Sequence, residues 1–149
     1  MSNIDYSKAN SIGQLRIPDS ISVIGCGGTG AWVSLFSAIA GVNHIDLYDD
    51  AVVTHTGLSR LPFTTSELGM PKVEALANLL RTFRPEIHIE TYNRLFVMGE
   101  DNSSLKAIVF NCSDSANFAK ELSDYATQTN IKHFFLIFNL SLNILKGFQ

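Results

Sequence analysis

Gly25-Cys26-Gly27-Gly28-Thr29-Gly30 stands between an apolar run and a helical pattern. Glycines at these intervals let the chain turn tightly and bring backbone N–H groups against a phosphate at a helix N-terminus, where the dipole favours negative charge. GxGxxG alone is a weak signal. With a strand before it and a helix after it, the pattern reads as a nucleotide-binding loop whose contacts are Gly25, Gly27, Gly28, Thr29 and Gly30. Asp49 follows Gly30 by nineteen positions, with Asp50 beside it. That is close to the roughly twenty-residue offset at which a carboxylate accepts hydrogen bonds from ribose hydroxyls. A nicotinamide or flavin dinucleotide would use such a grip, and so would a mononucleotide. Arg60, Lys72 and Asp114 favour the mononucleotide, because ATP needs cations around its triphosphate and a carboxylate to hold bridging magnesium, whereas a redox dinucleotide has no need of that set.

These side chains need a scaffold that gathers them at one edge. Short apolar runs alternate with longer helical patterns, the signature of βαβ units. The spacing predicts a strand over 21–24 and a helix carrying Trp32, Leu35, Phe36 and Ile39, with Gly41 as its C-terminal cap. Ile45 and Leu47 predict a second strand ending in Asp49-Asp50. Residues 51–69 read as a long loop with one helical turn at 66–68. A helix opens at Pro71 and stops at Arg84-Pro85. Strands are expected over 87–91 and 107–110, a helix over 117–129, and a fifth strand in the first half of 133–145. The expected fold is α/β, a Rossmann-like three-layer arrangement of a mostly parallel sheet with helices on both faces. Its expected parts are an N-terminal arm (1–19), a nucleotide-binding domain (20–138) and a C-terminal tail (139–149).

At 149 residues the chain is one domain with room for a core. Its 46% hydrophobic and 17% charged composition belongs to a folded protein. Eleven basic against fourteen acidic residues give a net charge of -3, which argues against a general nucleic-acid binder. No signal peptide or membrane span is read, and Cys26 and Cys112 lie far apart without a CxxC, so a cytoplasmic setting is expected. Both cysteines are expected as packing residues, not sulfur nucleophiles. His44, His55, His88 and His133 fall on different elements and are expected at the surface or at sheet ends, without forming a metal cluster.

From Ser20 to Lys132 the residues resemble the ThiF/MoeB/HesA family of ATP-dependent activators of ubiquitin-like proteins. The glycine loop looks like that family's GxGGxG. Gly41-Val42 through Asp49 resembles its second strand, Thr56-Gly57-Leu58-Ser59-Arg60 its Asn-Leu-x-Arg loop, Gly69-Met70-Pro71-Lys72 its G-x-x-K, and Asn111-Cys112-Ser113-Asp114-Ser115 its D-C-x-D-N. The resemblance implies that Asp49 grips ribose, Arg60 and Lys72 contact the triphosphate, and Asp114 binds Mg2+. It implies ATP-dependent adenylation of the C-terminus of a ubiquitin-like or sulfur-carrier protein ending in Gly-Gly, by a short or truncated member acting as a homodimer. Trp32, Leu35 and Phe36 would serve either that interface or the core. The sequence departs from the family at Ala51, Gly57, Leu61 and Asn111, each a lost polar group whose absence would weaken ATP positioning by about 1–3 kcal/mol. Those losses motivate the alternative of a catalytically degenerate nucleotide-binding or interaction module of the same fold. A third reading is an NAD-dependent oxidoreductase.

Overall fold

The computed structural model describes residues 17–135 together with Asp5 and Ser7. The tail expected at 139–149 and most of the arm expected at 1–19 lie outside the described residues. Five strands form one sheet: β1 (Ser20–Ile24), β2 (His44–Tyr48), β3 (His88–Tyr92), β4 (Ile108–Asn111) and β5 (Lys132–Phe135). Their order is β3-β2-β1-β4-β5 and every pairing is parallel. Three helices connect them: α1 (Gly28–Ala40), α2 (Lys72–Phe83) and α3 (Ala116–Gln128).

Parallel strands need crossovers, and here the helices cover both faces. Ile21, Val23, Ile45, Leu47 and Ile89 on one face pack against Ala31, Leu35 and Ala38 of α1 and Val73, Leu76 and Leu80 of α2. Ile24, Tyr48 and Val109 on the other face meet Leu122 of α3 and Phe96 of the β3–β4 connection. The Rossmann-like three-layer expectation therefore holds, with all described strands parallel.

Local signals explain the element ends. Gly41 takes a left-handed φ of 115° and its N–H donates to the carbonyls of Ser37 and Ala38, closing α1. After α2, Arg84 does more than stop a helix. It is 5% exposed, and its guanidinium donates to the carbonyl of Ala38 at the end of α1 (3.1 Å) and to Asn43 Oδ1 (3.1 Å), and pairs with Glu86. One cation thus ties two helix ends together.

One ordered segment has no counterpart among the sequence expectations, and one expectation needs correction. The connection over 93–106 carried no expected element, yet it is ordered around a clasp. Arg94 donates bidentately to Asp101 (2.6 and 2.7 Å), whose Oδ2 also accepts from the Val97 N–H (2.8 Å), and a 3-10 turn follows at Asn102–Ser104. The histidines do not all stand apart. Strands β2 and β3 pair with His44 opposite His88, and the two rings meet edge to face with centroids 4.4 Å apart. Strand pairing, which a single sequence does not display, brings them together.

Candidate nucleotide site

The sheet order reverses between β1, which runs on to β2 and β3 on one side, and β4, which runs on to β5 on the other. Ligands in open α/β sheets sit in the crevice at the carboxyl ends of strands flanking such a point. The loops leaving β1 and β4 are the glycine loop and Asn111–Asp114, and they lie against each other. Cys112 N–H donates to the Ile24 carbonyl (2.8 Å), and a Cβ added to Gly25 would stand 2.9 Å from the Cys112 backbone. Gly25 also adopts φ 91°, so its lack of a side chain is required twice over.

Within the loop the glycines differ in kind. A Cβ at Gly30 would stand 1.7 Å from the Gly25 carbonyl oxygen, so Gly30 is needed for the loop to fold back on the helix. A Cβ at Gly27 would meet nothing within 4 Å. Gly27 is the N-cap of α1, provides no side-chain cap, and is followed by a first turn with no acidic residue. The positive end of α1 therefore opens onto free space beside a residue that leaves it clear, an arrangement fitted to an anion.

Asp49 fastens this loop to the end of β2. Its Oδ2 accepts from the Cys26 N–H (2.7 Å) and its Oδ1 from the Ala51 N–H (2.8 Å). Each carboxylate oxygen keeps further acceptor capacity, enough for ribose hydroxyls. Strand β2 ends at Tyr48, one residue before Asp49, and Asp50 stands exposed beyond it.

The long loop after Asp50 is closed by a stem. Val52 bridges Pro71 in antiparallel fashion, Val53 exchanges backbone hydrogen bonds with Gly69 and Met70, and Lys72 N–H donates to the Ala51 carbonyl (2.9 Å). This brings the backbone of Lys72, the first residue of α2, against Ala51, two residues past Asp49. The positive charge of Lys72 bears on the Cys26 thiol, as does the Asp49 carboxylate, although burial dominates and pushes that thiol well up. Burial likewise raises Cys112 to about 12. Both sulfurs are therefore held as thiols near neutral pH, poor nucleophiles as the sequence suggested.

Arg60 is laid across the start of α1. Trp32 Nε1 donates to the Arg60 carbonyl (2.9 Å), and a Cβ on Gly28 would come within 3.4 Å of the Arg60 Cβ. The indole's role was not visible in the sequence. Two departures prove to be one: a Cβ at Gly57 would stand 3.0 Å from Leu61 Cδ1, and Leu61 is 7% exposed in the main core. Leu61 anchors the loop by apolar burial in the space a larger residue 57 would need. Ala51 acts through its backbone alone.

At the end of β4, Asn111 is fully buried. Its Oδ1 accepts from the Ser113 N–H (3.1 Å) and Oγ (2.7 Å), while its Nδ2 has no hydrogen-bond partner. A buried amide donor without an acceptor costs on the order of 1–3 kcal/mol, so this position wants an acceptor, which a nucleotide can bring. Asp114 stands exposed three residues on. A single carboxylate suits magnesium, which commonly takes one or two protein carboxylates and completes its shell with phosphate and water. On α1, Leu35 is buried, whereas Trp32 and Phe36 are 41% and 63% exposed and stack with centroids 6.0 Å apart.

A parallel α/β sheet with a glycine loop and a strand-end aspartate at its switch point is the doubly wound, Rossmann-like class of fold. The chain matches the ThiF family over residues 3–136 and belongs to it. Among curated relatives it is 35% identical over 79 residues to ubiquitin-like modifier-activating enzyme 5 of Drosophila ananassae, covering 52% of this chain and 20% of the relative. It is 37% identical over 83 residues to the adenylyltransferase and sulfurtransferase MOCS3 of Culex quinquefasciatus, covering 54% and 19%. The chain thus spans about a fifth of the length of the curated relatives it matches. Among solved structures, E. coli tRNA N6-threonylcarbamoyladenosine dehydratase TcdA in complex with ATP superposes with a TM-score of 0.75 at 25% identity, covering 82% of this chain and 52% of that one. E. coli MccB shares the fold with a TM-score of 0.74 at 22% identity, over 81% of this chain and 36% of that one. No described helix is long and apolar enough to cross a membrane.

Proposed function

We propose that the chain binds ATP at the carboxyl edge of its sheet and, as part of an activating enzyme, adenylates the C-terminal carboxylate of a ubiquitin-like or sulfur-carrier protein ending in Gly-Gly. The observation that carries this reading is the pairing of an open, uncapped α1 N-terminus at Gly27 with the Asp49 carboxylate that ties down the loop in front of it. The nucleotide domain of this reading is 20–138, of which 20–135 are described. The N–H groups of Gly28, Thr29 and Gly30 face phosphate, with Gly25 and Gly27 giving it room. Asp49 accepts from the ribose, Asp50 adds negative charge at its rim, and Arg60 and Lys72 neutralise the triphosphate. Asp114 would hold Mg2+, which would supply charge neutralisation to the phosphates.

In the reaction, a carboxylate oxygen of the partner attacks the α-phosphorus. The bond from that phosphorus to the bridging oxygen breaks, and pyrophosphate leaves with the electron pair, giving an acyl-adenylate. The residues here contribute positioning and charge stabilisation, with no covalent step on the chain itself. A cytoplasmic homodimer fits this reading, the exposed Trp32–Phe36 face of α1 supplying apolar surface for it. Exchange of labelled pyrophosphate into ATP in the presence of a Gly-Gly-ending carrier tests the chemistry. Exchange lost in Arg60→Ala and Asp114→Asn supports it.

One observation favours a second reading. Leu61 fills the space beside Gly57 and turns part of the arginine loop into packing. A nucleotide-binding module that has lost turnover would bind ATP yet give no exchange with any carrier.

A further inference from the structure

The sheet face opposite α1 and α2 is unusually polar over β2 and β3. Side chains two apart on a strand share a face, and the parallel register sets His44 beside His88 and Asp46 beside Glu90. One ring nitrogen of each histidine and one carboxylate oxygen of Glu90 all lie within 4.8 Å of one another. Further charged and polar groups stand behind His44 and Glu90. His44 Nε2 lies 2.9 Å from Oδ1 of Asp46, which is 1% exposed, and Asp46 Oδ2 is 3.3 Å from Lys106 Nζ. Tyr92 donates to Glu90 Oε2 (2.9 Å), which leaves Oε1 facing His88 Nε2 at 3.3 Å.

We propose that His44, His88 and Glu90 form a binding site for one divalent transition-metal ion of the zinc class. Two imidazoles and a carboxylate are the donor set such ions take, with water completing a tetrahedral shell, whereas magnesium and calcium take oxygen donors. The electrostatics agree: the Asp46 and Glu90 carboxylates against the Lys106 ammonium leave an excess of one acidic group around the cluster. Donors around one zinc stand about 3.3 Å apart, from Zn–N distances of ~2.0–2.1 Å in a tetrahedron. The donor atoms already lie within 4.8 Å of one another, and His88 and Glu90 are both exposed, with room for their side chains to turn. His44 and His88 open their strands, whereas the glycine loop and Asp49 follow strand ends, so the site is separate from the nucleotide crevice and does not rest on the proposed activity.

Titration of the full chain with Zn2+ by calorimetry tests this, paired with the visible spectrum of the Co2+ form. One equivalent is expected, with ligand-field bands of nitrogen and oxygen donors and no thiolate charge-transfer band. His88→Ala and Glu90→Gln, both at exposed positions that leave the fold intact, are expected to weaken binding at least tenfold. Asp114→Asn is expected to leave it unchanged. Absence of binding, a thiolate band, or affinity equal to the parent's in both His88→Ala and Glu90→Gln would overturn the proposal.

Discussion

Asp49 holds the glycine loop by accepting from the N–H of Cys26, a fully buried residue. Asp49→Ala therefore strands a buried donor and is expected to cost about 1–3 kcal/mol in urea unfolding, together with ATP affinity. Lys72 behaves differently. Its side chain is half-buried at a helix start and forms no described ion pair, so Lys72→Ala is expected to change stability by no more than about 0.5 kcal/mol. If it meets phosphate, its loss removes a charged hydrogen bond of about 1.5–3 kcal/mol, a ten- to hundredfold weakening of ATP binding in calorimetry. Equal ATP affinity in parent and variant would remove Lys72 from the site.

At the scale of elements, the loop offers a matched pair of substitutions. Gly30→Ala drives a methyl into the Gly25 carbonyl and is expected to destabilise by about 3 kcal/mol or more. Gly27→Ala meets no protein atom and keeps an allowed φ of -72°, so the fold should tolerate it while the methyl intrudes on bound phosphate. Thermal unfolding and ATP titration of the two variants separate scaffold from site. The Arg94–Asp101 clasp makes a pH prediction. The Arg94 guanidinium holds the Asp101 carboxyl below its ordinary 3.8, so the ionised form is favoured in the fold. That stabilisation is present above about pH 4 and is lost as pH falls through the folded-state value. The stability gap between parent and Arg94→Ala should hold from pH 7 to 5 and close below 4.

The same scale shows what the sequence could reveal. The strands and helices carrying the glycine loop, Asp49 and Lys72 were legible because each has an apolar period bounded by Gly or Pro. The β3–β4 connection was not, since side-chain-to-backbone clasps leave no period. The Gly57–Leu61 exchange read as two losses because its compensation is a contact between side chains. Asn111 read as a missing acid, and only its burial reveals an amide donor awaiting an acceptor.

For the whole molecule, strand order decides where chemistry can happen. Reversal between β1 and β4 puts the glycine loop beside Asn111–Asp114, while the stem at Val52–Pro71 returns Arg60 and Lys72 to the same edge. Residues spread from 25 to 114 thereby come to one edge of the sheet, the feature on which the ATP reading depends. Calorimetric titration of the chain with ATP and Mg2+, run beside Gly27→Ala, tests that reading most directly. The account predicts one site per chain in the parent and at least tenfold weaker binding in a Gly27→Ala protein that unfolds at the parent's temperature. Absence of ATP binding by the folded parent, or undiminished binding by Gly27→Ala, would contradict it.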